Sequence, residues 1–240
     1  RSKILILMSP KIPIFIGFDE RERVAMNVLI DSLYQNSTSP IAITPIISSQ
    51  LEKIGIHKRA REEKQSTSFS FTRFLVPYLM DFRDWAIFID CDVLCRGDIS
   101  KLWNLRDSAY ALMCVKHEHK PKEVVKFLGE KQSSYPKKNW SSLMLMNCEK
   151  CKALTPEYVN NASGLDLHRF NWLSGDHEIG EIKEEWNYLV EVQSIENSKN
   201  ASMLHWTLGG PWFPDQRTIG GELAAEWYAA RDDAFKLWQK

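Results

Sequence analysis

No run of apolar residues among the 240 approaches the roughly 20 that a helix needs to span a bilayer, so nothing here reads as a membrane anchor. The opening RSKILILMSPKIP also lacks a small-residue cleavage pattern after a long apolar core, and so does not read as a secretory leader. An excess of either charge is missing too. Lys plus Arg and Asp plus Glu number 31 each, leaving no net field to draw the chain to nucleic acid or an anionic membrane. Any anionic ligand must therefore be held locally. Five cysteines are an odd count in a chain too large to need staples, which fits reduced thiols in a reducing compartment. The expected localisation is cytoplasmic, and the sequons at Asn36, Asn139, Asn161 and Asn200 are then accidental. No internal repeat is present. Arg1 to Leu7 precede Met8 either as a cloning remnant or as the trace of a longer natural protein, and residues 1–11 are set apart on that account.

What is there reads as an α/β chain of one domain, 1–240. IPIFIGFD (Ile12 to Asp19) is a short apolar run ending near a glycine, a buried strand feeding a loop. VAMNVLIDSLYQN places Val24, Val28, Leu29 and Leu33 on one helical face, and IAITPIIS follows as a second strand. That βαβ opening predicts a parallel pair. STSFSFTRFLVPYLMDF predicts a helix kinked or restarted at Pro77, with Arg73 on its polar side. WAIFID is continuous enough in apolar character to be a central strand. YALMCVKH and SSLMLMN are further strands, joined by a lysine-rich segment expected to be a mobile loop. GDHEIGEI, EEWNYL and ASMLHWTLGGPWF follow, and residues 221–240 read as an amphipathic helix packed on the domain.

The chemistry concentrates where WAIFID ends in two carboxylates one residue apart. Open α/β sheets place ligands at the carboxyl ends of their strands, and a buried carboxylate needs compensation. At i and i+2 of a strand end, Asp90 and Asp92 face the same side and can grip a divalent cation, with Cys91 turned into the sheet. The competing reading makes one Asp a helix cap and pairs the other with Arg96. Late in the chain, His205 ends an apolar run and is followed by Gly209, Gly210, Pro211 and Trp212. Glycines there let backbone amides approach a ligand closely, a way to cradle phosphate without net positive charge. Cys148 and Cys151 form a C-x-x-C, but Cys91 and Cys95 do not complete a zinc-knuckle spacing.

IFIGFD, FTRFLVPYLM, FIDCDVL, SSLMLMN, GDHEIGEI, EEWNYL and HWTLGGPWF, in that order and spacing, resemble the glycogenin-like family, glycosyltransferase family 8. The resemblance implies a GT-A fold: one Rossmann-like domain with a central mixed, mostly parallel sheet flanked by helices. It also implies a retaining transfer of a hexose from a nucleotide diphosphate sugar, usually a uridine one, to a glycan or other hydroxyl acceptor. Manganese, with magnesium the alternative, would be held by Asp90, Asp92 and His205. Arg73 matches an arginine that reaches the donor site. Asp19 lies where the first strand's loop touches the base, although a helix cap explains it equally well. Asp176 matches the acid of a D-Q pair facing sugar and acceptor, but His177 stands where the family has glutamine. Trp140, Ser141 and Ser142 replace an Asn-Ser-Gly whose turn contacts sugar. Gly210 replaces a lysine that contacts the diphosphate, so Gly209, Gly210 and Trp212 are carried over as substrate contacts.

The expected function is thus a metal-dependent hexosyltransferase, with front-face attack in which the departing phosphate takes the acceptor's proton. Two alternatives accompany it. A haloacid-dehalogenase-type phosphatase also ends a strand in D-x-D, but Leu94 and the opening βαβ unit argue against it. A nucleotide-sugar binding module without turnover differs in leaving the donor intact.

Overall fold

The computed structural model describes residues 11–60, 67–118 and 137–236. The lysine-rich segment expected to be a mobile loop falls mostly within 119–136, outside the described residues, as do 1–10 and the end of the carboxyl-terminal tail. The βαβ opening forms as the pattern requires. Strand β1 (Ile12–Gly17) and strand β2 (Ile41–Ile46) pair in parallel, Ile12 opposite Ile41, around helix α1 (Arg23–Gln35). Helix α1 buries Ala25, Met26, Val28, Leu29 and Leu33, but Val24 is 43% exposed, contrary to the expectation. At about 100° per residue it sits roughly 40° outside the arc that the other five define.

Helix α2 (Ser48–Lys53) follows β2 directly. A 3-10 turn over Thr72–Leu75 leads into α3 (Val76–Leu79), with Pro77 in the first helical turn, where its missing N–H breaks no helical bond. The segment thus restarts at the proline. Arg73, expected on a polar side, is instead 5% exposed, because the aromatic residues around it bury every side of this turn. Strand β3 (Trp85–Ile89) is central, and Ala86 through Ile89 are sealed from solvent. Strand β4 (Val93–Cys95) and α4 (Ile99–Trp103), capped by Asp98 onto the Ser100 amide, come next.

Strands β5 (Leu112–Val115) and β6 (Leu143–Asn147) are shorter than their sequence patterns, β6 because Trp140–Ser142 curls into a 3-10 turn. Helices α5 (Pro156–Asn161) and α6 (Gly164–His168) are capped by Thr155 and Ser163. Strands β7 (Ile179–Ile182), β8 (Tyr188–Leu189) and β9 (Met203–His205) complete the set, and α7 (Glu222–Ala234) packs Leu223, Ala224 and Trp227 inward beside α1.

The main sheet has six strands in the order β2-β1-β3-β6-β5-β7. Within it β6 alone runs against the others, so the sheet is mixed and mostly parallel as expected. A second sheet, β4-β9-β8, was not anticipated. It covers the other side of α1, where Ala25 and Val28 join Leu94, Leu204, Trp206 and Trp227 in a smaller core. Helix α1 therefore clamps two apolar layers together, and the small sheet hangs over one edge of the large one.

Candidate active site

The carboxyl ends of β1, β3 and β5 and the amino end of β6 share one edge of the main sheet. Asp90 follows β3 directly, but the chain bends at Cys91 and Asp92 before entering β4. The two carboxylates are thus not successive positions on one strand end, as the alternation argument had it. They straddle the step from the large sheet to the small one. The antiparallel pairing of β4 with β9 sets Val93 opposite His205, and the Trp206 amide donates to the Asp92 carbonyl at 3.0 Å. Residues more than 110 positions apart are thereby held side by side by backbone alone. One ligand atom from each of Asp90, Asp92 and His205 lies within 4.8 Å of the others.

This cluster is buried, at 8%, 9% and 1% exposure respectively. The Arg73 guanidinium lies 2.8 Å from Asp90 and donates to the Ser141 carbonyl at 2.8 Å. His205 Nε2 stands 3.3 Å from Asp92 Oδ1, which is buried and, among the described residues, accepts no hydrogen bond. A buried carboxylate oxygen with spare capacity, next to a second carboxylate and an imidazole, is a donor set that fits a divalent cation. The competing reading fails on its partners, since Arg96 pairs with Glu226 and Asp98 caps the following helix.

A hydrogen-bond chain orients the imidazole. The Ser142 hydroxyl donates to the Asn139 carbonyl at 2.7 Å, so its oxygen must accept from Asn187 Nδ2 at 2.8 Å. That leaves Asn187 Oδ1 facing His205 Nδ1 at 2.9 Å, which requires a proton on Nδ1. In the neutral ring, Nε2 then presents its lone pair toward the carboxylates. Burial pulls the His205 pKa down, but the adjacent Asp92 carboxylate more than offsets this and the net shift is upward. Ser142, expected as a sugar contact, serves in this chain, while the Ser141 hydroxyl shares a hydrogen bond with His168 Nδ1 at 2.8 Å.

Behind the aspartates lies a residue that the sequence reading passed over. Glu22, just ahead of α1, is buried and accepts from the Cys91 thiol at 3.4 Å. Burial, then the charge of Asp92, pushes its pKa up to about 8. Cys91 therefore turns toward the start of α1. All five cysteines are free and buried, and among the described residues none joins a metal-ligating cluster.

Other candidate residues are placed unevenly. Asp19 is buried and caps the turn that leads into α1, accepting from the Arg21 amide at 3.0 Å and from the Ser68 amide at 3.0 Å. Burial opposes its ionisation, yet these bonds and the Arg21 side chain hold its pKa down to about 2. Gly209 has φ +103°, and its amide donates to the Trp206 carbonyl at 2.9 Å, so it closes a turn. A Cβ on Gly210 would meet the Trp212 ring at 2.1 Å. Trp212 itself packs against Trp206 and Trp227, ring centroids 6.2 and 5.4 Å away. Asp176, its side chain 73% exposed, and the exposed His177 lie in a turn ahead of β7, linked to the Trp140–Ser142 turn through an ion pair from Asp176 to Lys137.

Comparison with known proteins assigns this arrangement. The family model for glycosyl transferase family 8 matches residues 25–214. The chain belongs to glycosyl transferase family 8. It is a glycosyltransferase, and the phosphatase alternative falls with that assignment. Protein CDI of Arabidopsis thaliana is 47% identical over 205 residues, covering 83% of this chain and 79% of that protein. Among solved structures, the bifunctional glycosyltransferase WbbM superposes with a TM-score of 0.63 at 13% identity, over 94% of this chain and 50% of WbbM. The glycosyltransferase GlyE of Streptococcus pneumoniae TIGR4 gives 0.60 at 15% identity, over 96% of this chain and 61% of GlyE. The galactosyltransferase LgtC, solved with donor and acceptor sugar analogs, gives 0.57 at 10% identity, over 95% of this chain and 98% of LgtC. The chain thus spans half of WbbM and about three fifths of GlyE, and these likenesses show the fold, that of the GT-A glycosyltransferases. Among the described residues no helix is long and apolar enough to cross a membrane.

Proposed function

We propose that this family 8 glycosyltransferase is metal-dependent and retaining, taking a hexose from a uridine diphosphate sugar to a glycan or other hydroxyl acceptor. Manganese is the proposed ion and magnesium the alternative. The observation that carries the reading is the buried Asp90–Asp92–His205 cluster, with a carboxylate oxygen awaiting a partner, at the edge where an α/β sheet binds ligands. A neutral chain gathers four acidic side chains, Asp19, Glu22, Asp90 and Asp92, around this point. A cation between Asp90 and Asp92 is what lets so acidic a corner bind a diphosphate.

When bound, the ion would screen the negative charge that builds on the departing phosphate. Asp90 and Asp92 would supply its oxygen ligands and His205 Nε2 its nitrogen ligand. Arg73 pairs with Asp90 and, anchored on the Ser141 carbonyl, holds it in position. Asn187 holds His205 in the tautomer that can ligate. Asp176 and His177, on the exposed turn, are the proposed groups facing sugar and acceptor, with Lys137 fixing the Asp176 carboxylate. The acceptor's proton is proposed to pass to the leaving phosphate oxygen as the new glycosidic bond forms on the same face.

Donor hydrolysis tests this reading. Incubated with manganese and a panel of uridine diphosphate hexoses but no acceptor, the protein is expected to release uridine diphosphate from one or a few members of the panel. Release should stop on chelation. A binding module without turnover would instead leave every donor intact while still being stabilised by them.

A further inference from the structure

His117 is buried, and its Nε2 is enclosed without a hydrogen-bond partner among the described residues. It is not in the metal cluster. Two residues beyond β5, it occupies the carboxyl end of the strand that lies two places from β3 across the sheet. Its backbone is pinned, since its amide donates to the Val115 carbonyl at 3.1 Å and its carbonyl accepts from Trp140 Nε1 at 3.0 Å. With strands about 4.8 Å apart, β5 lies roughly 10 Å from β3, a gap that a hexose carried on a diphosphate at β3 and an imidazole reaching from the end of β5 bridge together.

The features along this edge fall in a definite order. Beyond the ends of β1 and β2 lies a cavity of about 270 Å³ lined by Phe18, Ile47, Ser48, His57, Arg59 and Ser68. The carboxylates follow at β3, then Ser141 and Ser142 at the start of β6, then His117. A donor whose diphosphate sits at the carboxylates and whose base takes the cavity must extend its sugar toward β5. Burial above all, with a smaller contribution from the neighbouring His205, holds the His117 pKa down to about 4. The ring is therefore neutral at ordinary pH, suited to a hydroxyl and of little use to a phosphate.

We propose that His117 is a specificity-determining residue that hydrogen-bonds a hydroxyl of the donor sugar through Nε2. This rests on the nucleotide-sugar reading above. An unpartnered buried nitrogen disfavours the empty site, and a sugar hydroxyl is the partner that removes the penalty.

The test measures binding of uridine diphosphate and of the uridine diphosphate hexose that the protein hydrolyses best, each with manganese, to wild type, His117→Ala and His117→Gln. Uridine diphosphate should bind all three within about twofold, whereas the hexose donor should lose about tenfold or more in affinity with His117→Ala, the scale of one lost hydrogen bond to a buried group. His117→Gln, which keeps a donor and the volume, should recover part of that loss and discriminate less among donor sugars. Equal losses for both ligands, or no loss for either, would overturn the proposal. Failure of wild type to bind uridine diphosphate with manganese would instead overturn the reading beneath it, and the inference with it.

Discussion

Asp92→Asn is expected to lower metal-dependent turnover by on the order of a thousandfold, the scale seen when a group that stabilises developing negative charge is removed. The metal-free protein should meanwhile fold normally. The substitution keeps the shape of the side chain and removes one negative charge from the cluster. Two pKa shifts set the pH dependence of its stability, and both point the same way. Glu22 is raised from 4.5 to about 8, so the folded wild type retains a proton that the unfolded chain releases, and stability is lost as pH rises through that window. Removing the Asp92 charge relieves that loss. The raised His205 contributes stability that is fully present at low pH and is lost as pH rises, and this contribution depends on Asp92. The variant should therefore melt below wild type near pH 5 and at or above it near pH 8. Melting curves without metal at the two pH values check this, and a variant less stable at both would make Asp92 a structural residue first.

Arg73→Met is expected to be the most destabilising single change in the site. The side chain is buried, pairs with Asp90 at 2.8 Å and lies 5.1 Å from the ring centroids of both Phe69 and Phe88. Methionine retains most of the packing but leaves Asp90 as an uncompensated buried charge, a loss of about 3–5 kcal/mol. At about 2–4 °C per kcal/mol for a chain of this size, the melting temperature should fall by roughly 6–20 °C. Manganese should restore part of it, because a cation at Asp90 replaces the missing charge. A fall that manganese leaves untouched would mean that Asp90 does not bind the ion.

Much of this was legible from pattern alone, and the parts that were not share a cause. The βαβ opening, the central β3 and the packed carboxyl-terminal helix follow from apolar periodicity, which is a local property. The metal cluster was legible only as an unordered set of residue types together with a family resemblance. What joins it is the β4–β9 pairing, a contact between distant segments of three residues each, too short to carry a periodic signal. Arg73 was misplaced for a similar reason. An arginine in an aromatic stretch looks like a polar face until its partner Asp90 is known. Asn187 and Glu22 had no signal of their own, since an asparagine in EEWNYL or a glutamate in ERERVAMN looks like any surface residue. Gly210 was read for what it would admit from solvent, whereas the Trp212 ring occupies the space next to it.

The proposed mechanism requires the Asp90–Asp92–His205 cluster to hold a cation through which a nucleoside diphosphate is bound. Calorimetric titration of uridine diphosphate into the wild-type protein, once with manganese and once with a chelator, tests it most directly. Binding should be at least about tenfold tighter with manganese, a difference of about 1.4 kcal/mol or more, and Asp92→Asn should lose that difference. Equal affinity in the two conditions, or an undiminished manganese effect in Asp92→Asn, would contradict it.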